Sequence, residues 1–118
     1  MKITDPEMQR KMAKALSIGG DLYNLDDIEA ELLSGDLQGH VEGNSWAITQ
    51  VQKFPRRKVV NIMLVIGGIS DAAKLEVKIS EWAKSIGASM LIATGRDGWW
   101  AHRTPGWRMA GVMYSKEL

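Results

Sequence analysis

A chain of 118 residues with 45% hydrophobic and 25% charged side chains can bury one real core and has little room for a second, so a single globular domain is expected. The net charge of +1 is too balanced to draw nucleic acid or an anionic membrane by charge alone, and no apolar run nears the roughly 20 residues of a bilayer span. The absence of cysteine leaves no disulfide framework, thiol nucleophile or cysteine-ligated metal and fits an intracellular origin, and in Met1-Lys2-Ile3-Thr4-Asp5-Pro6 no apolar stretch of a secretory signal is expected.

Asp5-Pro6 reads as a helix cap followed by proline at the first helical position. Met8, Met12, Ala15 and Leu16 recur at helical spacing until Gly19-Gly20. This N-terminal helix, within residues 1–20, can either pack on the domain or swing as an assembly arm. Asn24 caps a second helix with Asp26, Asp27 and Glu29 in its first turns, Ile28 and Leu32 as its apolar contact, and Gly35 at its end.

Three strands are expected next. Residues 37–41 alternate weakly, Glu42-Gly43-Asn44 is a turn, and 45–51 alternate around Trp46 and Ile48 up to Phe54-Pro55. Arg56-Arg57-Lys58 reads as a solvated turn. Residues 59–66 are apolar on both faces except at Asn61, as in a central strand covered on both sides. After Gly67-Gly68-Ile69, Ser70 is the expected cap of a long helix whose Ala72, Leu75, Ile79, Trp82, Ala83 and Ile86 share one face, and Gly87 closes it. Residues 89–94 form another buried strand, so 59–94 read as a βαβ unit with parallel neighbours. A short helix within 97–103 and a final strand over 107–114 complete the expectation.

The residues that carry a family resemblance are spread along 24–118. They are Asp27-Ile28, Gly35 and Gln38, then Phe54-Pro55-Arg56-Arg57-Lys58, then Ile66-Gly67-Gly68. Ser80-Glu81-Trp82-Ala83 follows, with Ile86-Gly87-Ala88, Gly95-Arg96-Asp97-Gly98-Trp99, and Lys116-Glu117-Leu118. In order and spacing they resemble the small GNAT-like (acyl-CoA N-acyltransferase fold) proteins of tailed bacteriophages. The resemblance implies one α/β domain over 1–118: a mixed sheet, an antiparallel meander followed by the βαβ unit, with helices on both faces.

GNAT enzymes hold the acetyl-CoA pyrophosphate with a Gln/Arg-x-x-Gly-x-Gly/Ala loop at a helix N-terminus, where free N–H groups and the positive end of the helix dipole meet the anion. Here the equivalent residues are Gly67, Gly68, Ile69 and Ser70; no basic residue opens the loop, and Asp71 adds a negative charge to the first turn. They are the only cofactor candidates, acetyl-CoA being the group they would hold; the degenerate loop argues for no cofactor and for a plain glycine turn.

No catalytic residue stands out. His40 with Glu42 two residues on can form a base and its partner, or simply a solvated strand face. His102 reads as a surface histidine, Tyr114 falls too late for a leaving-group acid, and two isolated histidines do not make a metal site. Three of the five tryptophans lie between 99 and 107. Arg96, Trp99, Trp100, Arg103 and Trp107 can form a protein interface, since tryptophan and arginine concentrate at interface centres; a core-capping cluster is the alternative, and a nucleotide stacking platform is disfavoured by the near-neutral net charge.

The expected function is a non-catalytic GNAT-like phage protein that binds other proteins. It would be a virion structural or assembly component, with virion proteins or its own copies as partners, in the virion or the host cytoplasm. An acetyl-CoA-dependent N-acyltransferase and a small host-targeting protein are the alternatives; no membrane or nucleic-acid partner is expected.

Overall fold

The computed structural model describes residues 5–18, 20–67, 69–93 and 106–118. In chain order it contains α1 (Pro6–Ile18), α2 (Leu25–Ser34), β1 (Gln38–Glu42), β2 (Ser45–Lys53), β3 (Lys58–Ile66), α3 (Ile69–Ser85) and β4 (Met90–Ala93). The helix starts follow local chemistry. Glu7 N–H donates to Asp5 Oδ1 at 3.0 Å. Asn24 and Asp27 form a reciprocal capping box, Asp27 N–H to Asn24 Oδ1 at 2.8 Å and Asn24 N–H to Asp27 Oδ2 at 3.0 Å. Gly35 ends α2 in the left-handed region at φ 87°, where glycine carries no Cβ penalty.

The sheet has the order β1-β2-β3-β4, with β1, β2 and β3 antiparallel and β4 parallel to β3. This is the expected meander followed by a βαβ unit. In the β2–β3 ladder Ile48 pairs with Leu64 but Thr49 pairs with Ile62, so Met63 is the extra residue of a bulge. The bulge shifts the side-chain parity of β3. Leu64 and Ile66 therefore join the core under α1 and α2, while Val60 and Ile62 join the core under α3.

The two cores lie on opposite faces of the sheet. One gathers Met12, Ile28, Leu32, Leu37, Ile48 and Ile66. The other gathers Ala47, Val60, Ile62, Leu75, Ile79 and Ala83. Met12 is fully buried, so α1 packs on the domain. Swinging it away would expose a methionine whose burial is worth about 1.5–3 kcal/mol.

Two local expectations are corrected. Ser70 is the second residue of α3, not the residue before it. Residues 107–118 form no strand; Met109, Val112, Met113 and Tyr114 are exposed. A strand exists only through its ladder partners, and none of the four strands pairs with this segment. The expected helix within 97–103 lies outside the described residues.

Candidate functional site

The β3–α3 junction carries the residues that the family resemblance singles out for an anionic cofactor. Gly67 leaves β3 at φ 124°, a conformation that L side chains rarely adopt. A Cβ on Gly67 would lie 2.6 Å from Asn44 O, Ser45 Cα and Ser45 Oγ. The close approach that requires this glycine is thus to the chain's own β1–β2 hairpin. Asp71, in the first turn of α3, faces the same hairpin: Asn44 N–H donates to Asp71 Oδ2 at 3.2 Å. Gly43 completes the contact, since a Cβ there would sit 2.7 Å from Asp71 Oδ2.

Of the sequence candidates, Gly67 follows β3, Ile69 and Ser70 are the first two residues of α3, and Gly68 lies outside the described residues. The fit to a diphosphate is poor. No Lys or Arg occurs between Lys58 and Lys74, and the carboxylate of Asp71 occupies the helix end.

The histidine on β1 is built into a small polar network on the α3 side of the sheet. His40 Nε2 lies 2.9 Å from Thr49 Oγ1, and Thr49 Oγ1 donates to Gln38 Oε1 at 3.2 Å. Thr49 is fully buried, so these contacts satisfy a hydroxyl that water does not reach. The edge of His40 meets the Trp82 ring with centroids 4.8 Å apart and planes at 62°. Burial, and then the positive charge of Lys78, lower the pKa of His40 from its ordinary 6.5. Glu42 is not its partner: Glu42 pairs with Lys78 at 3.8 Å, and Lys78 Nζ also donates to Val41 O at 3.0 Å. The base-and-partner reading of His40 and Glu42 is thereby corrected.

Of the tryptophan–arginine group, Arg96, Trp99, Trp100 and Arg103 lie outside the described residues. Trp107 is half-buried and packs against the core under α3. Among the described residues, no group of three His, Asp or Glu converges to hold a metal ion, and no helix is long and apolar enough to cross a membrane.

The basic triplet has a role that its composition does not reveal. Arg57 Nε donates to Ser89 Oγ at 3.0 Å and Arg57 Nη2 to Ser89 O at 2.9 Å. Lys58 Nζ donates to Ile86 O at 2.7 Å, at the carbonyl end of α3. The β2–β3 turn is thus fastened to the loop that enters β4. Beside it, Phe54, Pro55, Val59, Met90 and Ile92 line an open groove of about 400 Å³.

No protein-family model and no curated protein matches the chain. Solved structures do. A probable acetyltransferase superposes with a TM-score of 0.68 at 11% identity, over 95% of this chain and 89% of that one. An acetyltransferase of Trypanosoma brucei superposes with a TM-score of 0.66 at 15% identity, over 99% and 97%. A tetramutant protein of Bacillus halodurans gives a TM-score of 0.60 at 11% identity, over 95% and 88%. At such identities the likeness is one of fold, and the fold is the GNAT-like mixed α/β sheet of these acetyltransferases.

Proposed function

We propose that this chain is a GNAT-fold protein that acts by binding other proteins rather than by transferring acyl groups, as a structural or assembly component of a phage particle. The observation that carries the first part is the β3–α3 junction. Gly67 is spent on contact with Asn44 and Ser45, and Asp71 places a hairpin-bound carboxylate at the helix end where a pyrophosphate would need positive potential. The phage part rests on the family resemblance of residues 24–118.

An acetyl-CoA-dependent N-acyltransferase is the second reading. It is favoured by the structural neighbours described as acetyltransferases. It also draws on Gly67-Gly68 ahead of α3, a glycine pair at a helix N-terminus.

Isothermal titration with acetyl-CoA and CoA separates the two. The binding-protein reading expects no heat at millimolar ligand. Saturable micromolar binding, lost on Gly68→Glu, would replace it with the enzyme. Recovery of the protein from purified particles tests the assembly role.

A further inference from the structure

We infer that copies of this chain associate head to tail, the acidic outer face of α2 on one copy docking into the apolar groove beside the β2–β3 turn of the next. This deepens the protein-binding reading and rests on it. The first observation is a separation of charge along the chain. Residues 15–52 contain seven carboxylates and no Lys or Arg; residues 43–70 contain four cations (Lys53, Arg56, Arg57 and Lys58) and no carboxylate.

The fold keeps these two charged regions apart. Ile28 and Leu32 seat α2 against Ile48 and Ile66, at the end of the sheet where β3 finishes. The cations cluster where β3 begins, across a strand of nine residues, roughly 30 Å in length at the rise of an extended chain. Glu42 pairs with Lys78 of its own chain, but the carboxylates of α2 lie well beyond the screening length of about 8 Å from these cations, and contact between copies would bring the two together.

Each surface also carries apolar area that the single chain leaves open. On α2, Leu33 is 84% exposed, one turn from Glu29 and Ala30 and two from Asp26. At the other end, Phe54 is 54% exposed above a groove floored by Val59, Met90 and Ile92 and rimmed by Arg56 and Arg57. Neither α1 nor α2 of the same chain lines that groove. Leu33 flanked by carboxylates thus faces, in the next copy, an apolar slot flanked by Arg56 and by Arg57, which is held at its edge by Ser89, a pairing of apolar contact and charged rim that suits protein contacts. Because ridge and slot are different surfaces, the contact is heterologous, and it continues into a ring or a filament instead of stopping at a dimer.

Sedimentation velocity without any CoA ligand tests this. The wild-type chain is expected to grow from 13.1 kDa past two copies as concentration rises, and to dissociate roughly tenfold more readily in high salt. Leu33→Glu and Arg56→Glu both alter exposed side chains, so folding, checked by circular dichroism, is retained and each variant alone stays monomeric. Mixed in equal amounts, the two variants retain one good ridge and one good slot between them and stop at a dimer. A wild-type chain that remains monomeric at all concentrations overturns the inference. So does a wild-type association that stops at two copies, one that ignores both substitutions, or one abolished only by removing residues 107–118. Loss of self-association leaves the binding-protein reading to be decided by the acetyl-CoA titration, so the two fail separately.

Discussion

The two ends of the sheet differ in what closes them. At the end where β3 passes into α3, the chain closes on itself: the β1–β2 hairpin, Gly67 and Asp71 interlock through main-chain contacts and the Asn44–Asp71 hydrogen bond. At the end where β2 turns into β3, polar side chains tie the turn to the β4 loop, while Phe54 and the apolar groove stay open. The first end is thus ordered by contacts within the chain, and the second by side chains that leave an apolar surface beside them.

The largest effect is expected at the closed end. Gly67→Ala must place a methyl group where Asn44 O and Ser45 Cα already lie within 2.6 Å, at a φ of 124°. Strain and overpacking together should cost about 2–6 kcal/mol, read as a lower midpoint in chemical denaturation. A loss below about 0.5 kcal/mol would mean that the hairpin yields and that the junction is not the interlocked element described.

The open end should respond less. Arg57→Ala removes two hydrogen bonds to Ser89, both exposed to solvent, and should cost about 1 kcal/mol. Arg57→Lys should not restore it, because an ammonium cannot reproduce the planar pair of donors. Full recovery by lysine would reduce the contact to charge alone. If Arg57→Ala instead matched Gly67→Ala, the contrast between the two ends would be lost.

How much of this was legible in the sequence depends on the range of each interaction. Asn24, Asp27 and Gly35 act within α2 and its caps, and their residue types announce both ends. The apolar stripe Ala72, Leu75, Ile79 and Ala83 is periodic and became the core under α3. The bulge at Met63 was not legible, because an extra residue in β3 is defined only by its partners in β2. Residues 107–114 failed as a strand for the same reason: their composition suits a ladder that none of the four strands supplies. At the candidate site, Gly67 announces a turn, but the acceptor role of Asp71 toward Asn44, 27 residues away, is set by the fold. Alternation along β1 offered His40 either Glu42 or a solvated face, whereas its partner is the cross-strand Thr49.

That histidine supplies the smallest and most specific test, because it reports on packing between the two ends. His40 is half-buried between Thr49, Trp82 and the ammonium of Lys78, and its pKa lies below the ordinary 6.5. Glu42, which would favour the cation, is committed to Lys78. The sign follows from proton binding. As pH falls through 6.5 the unfolded chain takes up a proton before the folded chain does. The contribution of neutral His40 is therefore complete above that value, and it declines as pH falls toward the lower folded pKa. Wild type should lose stability between about pH 7 and pH 5.5 relative to His40→Gln. Glutamine has no proton to gain and can still donate to Thr49. Carboxylate titration at lower pH is common to both chains and cancels in the difference. The slope should be shallow, since solvent reaches part of the ring. Parallel stability profiles would show that His40 titrates alike in the folded and unfolded chain, and would remove the desolvated contact with Trp82 and Lys78 from the account of how α3 holds the edge of the sheet.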